Sequence, residues 1–394
     1  MVNNAILHVD MNNFFASVEL LNRPELADLP VIVGGDEQSR RGVVLAKNQV
    51  AKALGIKTAE TVFSARQKAP NLISLPPNFD QYEHYSKLAR KLYERYSPYV
   101  EPFGLDECWL LLREDPDPEA TAHLIRDEIK RTLGLTVSIG VSFTKVFAKL
   151  GSDYKKPDAV TVITRENYRD ILWPLPVSSL LYVGKVTAEK LGSIGIRTIG
   201  QLAETEVRFL ERLLGKTGRL LWDEANGIEE DKIALAAEKR QVKSIGNSMT
   251  LARDATSIGE ITGALRWLAE SVANRLESAR LNGQTVQIMI KDNTFQTYTR
   301  QAKLSEPCAK RQEIFEKALE LFNLNFDFSV PIRGLGLTVT DLGSADDPVQ
   351  LCFEDLAKLQ TKSKVRETVD ALNERFGKVI DIGAKDVRIV GGSD

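Results

Sequence analysis

Residues 100–112 read VEPFGLDECWLLL and give the clearest indication of the fold. Apolar runs on both sides of Gly104 predict two strands joined by a tight turn, with Asp106 and Glu107 beside that turn. Residues 5–10, AILHVD, form a second apolar run that also ends in a carboxylate, Asp10. Acids next to buried strands are costly to ionise unless a cation offsets their charge. These three acids are therefore the first candidates for chemistry.

Strands and helices alternate around the acids. The spacing of apolar residues predicts helices over 81–96, 120–133 and 145–152 and strands over 136–141 and 159–163. An α+β sheet domain is the expected result. Residues 19–77 are typical of a small α/β insertion into it.

A boundary follows at Trp173-Pro174-Leu175-Pro176, because two prolines in three residues oppose any continuous element. The next residues predict a compact helical domain, in which residues 180–185, LLYVGK, resemble the turn of a helix-hairpin-helix. A polar stretch over 229–242 is typical of a linker. Beyond it, a long helix over 258–281, then strands and a further helix up to residue 340, predict a second α/β module.

The charge of the whole chain is nearly balanced, since 52 Lys and Arg stand against 54 Asp and Glu among 394 residues. Binding to nucleic acid or to an anionic membrane would therefore depend on local patches. Residues 237–310 carry a mild excess, with eleven Lys or Arg against seven Asp or Glu. The three cysteines are too widely spaced for a disulfide framework, and no leader or membrane-spanning run is recognisable. We therefore expect a cytoplasmic protein with no membrane partner.

The three acids allow two interpretations when only residue types are considered. They could hold two Mg²⁺ ions about 3.5–4 Å apart, because Mg²⁺ prefers oxygen ligands and such a pair suits in-line phosphoryl displacement. They could also be ordinary acids at a strand end and in a turn, since a single Asp and a distant Asp-Glu pair recur by chance. Spacing alone leaves both interpretations open.

Several motifs in order carry a resemblance to a known family. They are DMNNFFASVE at 10–19, FGLDECW at 103–109 and SIGVS at 138–142, followed by Lys145, Ala148-Lys149, Ser152-Asp153 and Lys156-Pro157. These motifs resemble those of the Y-family translesion DNA polymerases, and the match runs from residue 5 to about residue 340. The resemblance implies an enzyme that adds deoxynucleotides to a primer 3′ end on a DNA template, in translesion synthesis and DNA repair, without a proofreading exonuclease.

The resemblance also implies the α+β architecture of a right-hand polymerase. The expected parts are a palm (1–18 and 78–165), fingers (19–77), a helical thumb with the helix-hairpin-helix (166–232), a linker (233–242), an α/β little finger (243–342) and a C-terminal segment (343–394).

Roles in the reaction carry over to individual positions. By resemblance, Asp10, Asp106 and Glu107 would bind two Mg²⁺ ions, or Mn²⁺, and the main-chain carbonyl of Met11 would add a ligand. Phe15 stands at the place of the steric gate, an aromatic ring that leaves no room for a ribose 2′-hydroxyl. A simple core Phe is the alternative interpretation.

The triphosphate of the incoming dNTP requires cations. Gln49, Lys52 and Lys156 match the nucleotide-binding positions, although the family usually has Tyr and Arg at the first two. Lys52 keeps a point charge but not the bidentate fork of Arg. Asn12 is a further departure, because many members carry a second acid there.

Primer-template DNA would be held by two modules. In the thumb, Val183, Gly184 and Lys185 could present backbone N–H groups to phosphates, although an ordinary helical turn is an alternative. In the little finger, the phosphate candidates are Lys243, Arg253, Lys291, Arg300 and Lys303, each of which could instead be a solvated surface charge.

A possible partner-binding peptide lies near the C-terminus. Residues 348–354, PVQLCFE, resemble the peptide by which bacterial polymerases dock on the sliding clamp, with Gln350, Leu351 and Phe353 as the contacts. A buried strand is the alternative. The three histidines, His8, His84 and His123, lack ligand spacing, and we expect them to be structural or surface residues.

Two other functions remain possible at this point. A palm-fold nucleotide cyclase would share the acids but lack the hairpin thumb and the basic last module. A non-catalytic DNA-binding scaffold of polymerase ancestry would be compatible with Gln49 and Lys52, although such a scaffold need not retain all three acids.

Overall fold

The structure is a computed structural model, and it describes residues 4–35, 42–228, 233–236, 241–346, 380–382 and 387–389. The chain divides into two compact units, Met1–Lys239 and Arg240–Asp394. Within the described residues, none of the helices has the length and apolar character needed to cross a membrane.

The first unit contains two sheets and eleven α-helices among its described residues. Its strands are β1 (Ala5–Met11), β2 (Val31–Gly34), β3 (Val44–Lys47), β4 (Ile73–Leu75), β5 (Val100–Phe103), β6 (Glu107–Leu112), β7 (Val137–Ser142) and β8 (Val160–Val162). Its helices are α1 (Phe14–Leu20), α2 (Gln49–Ala53), α3 (Val62–Lys68), α4 (Phe79–Tyr93), α5 (Pro118–Leu133), α6 (Lys145–Tyr154), α7 (Tyr168–Leu172), α8 (Lys185–Gly192), α9 (Ile199–Glu204), α10 (Val207–Leu214) and α11 (Lys216–Ala225).

The palm sheet has the strand order β5-β6-β1-β7-β8, and only the β7-β8 pair is parallel. All seven residues of the central strand β1 are buried, because helices cover both faces. Alternate residues of a strand point to opposite faces. Leu7 and Val9 pack in the core that includes α4 and α5, whereas Ile6 packs with Ala148 of α6. His8 and Asp10 follow the alternation of Ile6 and therefore lie on the α6 face.

The helix ends follow from local sequence. Asp117 caps α5 by accepting from the Ala120 N–H, Pro118 occupies the first turn, and Gly134 ends the helix at a φ of 66°. Thr144 caps α6 in the same way by accepting from the Phe147 N–H. The helix that covers the acids is thus fixed in register at its start.

The fingers region forms a small sheet of order β3-β2-β4 against α2 and α3. Its core consists of Ile32, Val44, Ala51, Ile56, Val62, Ala65, Ala69 and Leu72. Asn48 caps α2 and also accepts from the Val31 N–H, so this one side chain joins the helix to the sheet.

Five short helices, α7 to α11, build the thumb region around a separate core. Part of the expected linker also belongs to this unit. Ile233 is buried with Trp109 and Leu111, and the Ala236 N–H donates to the Pro98 carbonyl.

The described part of the second unit has a four-stranded sheet covered by two helices, and a two-stranded hairpin. Its elements are β9 (Ser244–Ala255), α12 (Ile258–Ala279), β10 (Leu281–Asp292), β11 (Thr297–Cys308), α13 (Arg311–Asn325), β12 (Ile332–Ser344) and the hairpin β13 (Ile380–Ile382) and β14 (Val387–Ile389). The four long strands form the little-finger sheet, order β11-β10-β12-β9, entirely antiparallel. Alternate residues such as Val286, Ile288 and Ile290 pack against both helices. The sequence did not predict β9.

Candidate active site

The three candidate acids lie at one end of the palm sheet. Asp10 is opposite Glu107 in the register of β1 and β6. Asp106 lies in the turn before β6, and its carbonyl accepts from the Met11 N–H at 3.0 Å. The turn predicted at Gly104 is present, with φ 77° at that glycine. Strand register and a tight turn therefore bring together acids that are far apart in sequence.

Two lysines neutralise acids of this group. The Lys156 Nζ lies 2.6 Å from Asp10 Oδ2 and 2.7 Å from Asp153 Oδ1. Lys149, on the face of α6 that covers the sheet, donates to Glu107 Oε2. The arrangement holds cations beside the buried negative charge, as the cost of burying an unpaired carboxylate requires.

His8 contacts the site, although its sequence position did not suggest it. Its side chain is fully buried, with Nε2 3.0 Å from Glu107 Oε2 and Nδ1 2.8 Å from Ser152 Oγ. It is thus a structural residue, as expected, but one that contacts a candidate catalytic acid. Its alternation with Asp10 in the strand was the available signal, since both residues had to face the same side.

The ionisation of the acids reflects burial and these partners. Burial and then the charge of Asp10 raise the pKa of Asp106 to about 6. Burial also raises the pKa of Asp10, although the Lys156 ammonium opposes the shift. Burial would raise the pKa of Glu107 too, but contacts with His8 and Lys149 outweigh it and lower that pKa to about 2. Asp10 and Asp106 therefore repel each other when both are ionised, and a bound cation would offset this repulsion.

The donor set suits a hard divalent cation. Three carboxylates and a main-chain carbonyl are the oxygen ligands that Mg²⁺ prefers. Among the residues that the structure describes, no three His, Cys, Asp or Glu side chains are arranged so that they could hold a metal ion. Lys149 and Lys156 contact two of the acids directly. The metal ligands thus remain a prediction, supported by donor chemistry and by the raised pKa values.

Phe15 lies on α1, half-buried, on the ring of Tyr82. The two rings are parallel within 10° and their centroids are 4.2 Å apart. The Tyr82 hydroxyl donates to Glu19 Oε1 at 2.7 Å, and this hydrogen bond fixes the position of the Tyr82 ring. Tyr82 could not be singled out from the sequence, because only the packing of α4 on α1 brings it under Phe15. The gate position therefore has a rigid aromatic support.

The nucleotide candidates of the fingers lie on α2. Gln49 and Lys52 are both exposed there. Lys47, at the end of β3, is a further cation that was not predicted from the sequence. Burial and then the nearby charge of Lys52 lower the pKa of Lys47. The two positive charges therefore lie close to each other. The fingers thus present a small positive surface, separate in sequence from the acids.

The predicted hairpin turn of the thumb region lies directly before α8. Tyr182 adopts a φ of 67°, in the region that favours glycine, and its side chain is 62% exposed. Val183 is buried, Gly184 is the N-cap of α8, and the Lys185 side chain is exposed. The first N–H groups of α8 are therefore available at a helix N-terminus.

The five little-finger candidates do not share one surface. Ile290 and Leu304 point to the helix-covered core, so their neighbours Lys291 and Lys303 lie on the opposite face. Arg300 instead donates to Asn325 at the end of α13. Arg253 pairs with Glu260 at 2.9 Å, and Lys243 is exposed just before β9. The described structure thus separates these candidates.

Arg333 is a further cation that was not predicted from the sequence. Its guanidinium lies 4.8 Å from the ring centroid of the exposed Phe295, and Lys291 Nζ lies 5.2 Å from the same centroid. Phe295 thus brings two cations together beside the β10-β11 turn. The candidate clamp residues Gln350, Leu351 and Phe353 lie outside the described residues.

Comparison with known proteins agrees with the family that the sequence motifs resemble. The model of the impB/mucB/samB family matches residues 9–153, and the model of its C-terminal domain matches residues 242–352. A protein of Acetivibrio thermocellus named DNA polymerase IV is 48% identical, with 94% of each chain covered. A protein of Bacillus subtilis named DNA polymerase IV 1 is 37% identical, with 96% of this chain and 92% of that protein covered.

A solved structure shares the fold. It is a Y-family DNA polymerase chimera, 22% identical, with a TM-score of 0.76 over 86% of this chain and 98% of that chain. The predicted family and the right-hand α+β fold are thereby confirmed. The chain belongs to the impB/mucB/samB family and has the fold of a Y-family DNA polymerase.

Proposed function

We propose that Asp10, Asp106 and Glu107 carry the template-directed addition of deoxynucleotides to a primer 3′ end. The chain is a DNA-directed DNA polymerase of translesion synthesis and DNA repair, as its family and its relatives named DNA polymerase IV indicate. The observation that carries the assignment of the site is the group of three acids, Asp10 buried and Asp106 and Glu107 half-buried, at one end of the palm sheet. Neither the nucleotide cyclase nor the non-catalytic scaffold is favoured by these comparisons.

The acids, with the Met11 carbonyl, would hold two divalent cations, Mg²⁺ or Mn²⁺, whose positive charge supports in-line displacement at the nucleotide. His8 and Lys149 orient the Glu107 carboxylate. The ammonium of Lys156 lies beside Asp10 and would neutralise part of the triphosphate. Gln49, Lys52 and Lys47 would contribute from the fingers.

Sugar selection would depend on Phe15. The stacked Tyr82 ring prevents the Phe15 ring from withdrawing, so a 2′-hydroxyl would meet a rigid surface. The DNA would be held through phosphates by the start of α8 and by the cations of the little-finger sheet. A sliding clamp as partner and a cytoplasmic location remain predictions.

The decisive experiment is primer extension with Mg²⁺ and the four dNTPs on an undamaged template and on one with an abasic site. We expect extension on both, and we expect Asp106→Ala to abolish it. Asp127→Ala is the matched control, because Asp127 is an exposed acid of α5 that pairs with Arg126. Intact DNA binding without extension by the unaltered protein would favour the scaffold and would point to Gln49 and Lys52 as the cause.

A further inference from the structure

Asn12, where many family members carry an acid, joins two parts of the palm region. Its side chain is 4% exposed. The Nδ2 group donates to Ser138 Oγ on β7 at 2.9 Å, and Oδ1 accepts from the Asp158 N–H at 2.8 Å. One carboxamide therefore ties the loop after α6 to the strand beside β1.

The backbone of Asn12 is itself fixed. Its N–H donates to the Thr136 carbonyl at 2.9 Å, and its carbonyl accepts from Ser17 Oγ at 2.7 Å. Two hydrogen bonds thus fix the main chain of Asn12, from which the side chain extends to the loop. A loop bonded to such an anchor loses freedom of position.

The tied loop carries Lys156. Pro157 has no N–H, so the Asp158 N–H is the first amide after Lys156 that can hold the loop. Asp158 also adopts a φ of 54°, a left-handed conformation that is unfavourable for a residue with a side chain. The hydrogen bond from Asp158 to Asn12 therefore holds a strained segment next to the lysine.

An amide suits this position better than an acid. A carboxylate could accept from the Asp158 N–H and, because a hydroxyl both donates and accepts, from the Ser138 O–H as well. It would, however, bury a further negative charge two residues from the buried Asp10. The amide makes both hydrogen bonds without that charge.

We propose that Asn12 is a positioning residue that sets the place of the Lys156 ammonium and thereby controls nucleotide affinity. This inference rests on the proposed function, because it takes Lys156 as a contact of the triphosphate. The side chain of Asn12 acts on the nucleotide only through Lys156.

A double-mutant cycle tests the inference. The Kd for a correct dNTP is measured on the protein bound to a dideoxy-terminated primer-template, and KM and kcat are measured with an extendable primer. We expect Lys156→Ala to raise the Kd and KM by about 10-fold or more, because a charged hydrogen bond to phosphate is removed. We expect Asn12→Ala to raise them about 3- to 10-fold with a smaller change in kcat, and the double variant to be no worse than Lys156→Ala.

Two further variants make the cycle specific. Ser138→Ala removes only the partner that orients the amide, so it should act in the same direction more weakly, and it carries the cycle if Asn12→Ala does not fold. Lys130→Ala removes the exposed ion pair to the Asp158 side chain, so it should change the Kd by less than about 2-fold. DNA affinity without nucleotide should stay unchanged in all of them.

The outcomes distinguish the role of Lys156 in nucleotide binding from the role of Asn12 in positioning Lys156. If Lys156→Ala leaves the Kd unchanged, the assignment of Lys156 fails, and the inference about Asn12 fails with it. If Lys156→Ala raises the Kd but neither Asn12→Ala nor Ser138→Ala does, only the positioning role is overturned. Fully additive effects in the double variant would likewise overturn it.

Discussion

The palm sheet and the little-finger sheet carry charge in opposite ways. In the palm sheet, the acids at strand ends are buried (Asp10) or half-buried (Glu107), and each lies within hydrogen-bonding distance of a lysine, as Asp10 does of Lys156. In the little-finger sheet, cations such as Lys303 are exposed on the face away from the helices. Both sheets are mainly antiparallel, so the difference lies in where along a strand the charges stand and how much of each face is covered.

This difference predicts how each region responds to substitution. Charges interact strongly where water is excluded, because the effective dielectric constant is low there. Exposed charges are screened, and each contributes little by itself. The palm site should therefore be sensitive to single substitutions, and the little finger only to combined ones.

The largest expected effect is the loss of an acid from the palm. Asp10→Asn should lower the rate of single-nucleotide insertion by at least about 10³-fold, because it would remove a proposed carboxylate ligand of the cations that stabilise the charge of the transferring phosphoryl group. Lys303→Ala, measured beside it, should change the rate by less than about 2-fold. Rapid-quench insertion assays give both rates. Comparable losses in the two variants would show that the palm is no more sensitive to single substitutions than the little finger.

The second prediction concerns the raised pKa of Asp106, which burial and then the charge of Asp10 cause. The pKa of Asp106 is about 6 in the folded protein against an ordinary value of 3.8. The folded state thus binds this proton more tightly than the unfolded chain. The metal-free protein should therefore lose stability as the pH rises from about 4 to about 6, by up to about 3 kcal/mol.

Asp106→Asn should remove that loss of stability and inactivate the enzyme. Urea unfolding in EDTA at several pH values, with Asp127→Asn as the exposed control, measures the difference. An identical pH dependence in Asp106→Asn and the unaltered protein would show that folding does not raise the pKa of Asp106.

The third prediction concerns the stacked pair of rings. Phe15→Ala should increase ribonucleotide incorporation at least about 10-fold, because the sugar pocket gains the volume of a ring. Tyr82→Leu removes the supporting ring and should act in the same direction with a smaller effect. Tyr82→Phe retains the stack and loses only the bond to Glu19, so it is the matched control. Unchanged sugar selection in Phe15→Ala would exclude the gate role.

Much of the palm could be predicted from the sequence because its signals are local. The apolar runs around Gly104 predicted β5, the turn and β6, and the apolar run in residues 5–10 indicated a buried strand. The contacts that complete the site were not predictable in this way. The position of Lys149 at Glu107 depends on how α6 packs on the sheet, and that of Tyr82 under Phe15 on how α4 packs on α1.

The strand β9 shows the same limit in the little finger. Its sequence, SIGNSMTLARDA, contains Gly246, Asn247 and Asp254, residue types that are depleted in strands. Pairing with β12 over eight register positions supplies the missing preference. Local propensity failed here because the long-range pairing determines the structure.

Substitutions in the little finger should have the smallest effect per residue, here on DNA binding. Lys291, Lys303 and Arg333 are the cations that we expect to bind DNA phosphates. Replacing all three with Ala should reduce the slope of log K against log salt by up to about 0.9 for each phosphate that is no longer bound. Arg300, Lys310 and Lys317 form a control set of equal charge on the side of α13.

DNA-binding titrations from low to moderate salt measure the slopes of both triple variants. If the control set flattens the slope as much as the first set, position on the sheet does not matter and only net charge does. A larger effect of the first set would assign DNA binding to the sheet face that carries Lys291 and Lys303, because the two sets remove the same net charge from different places.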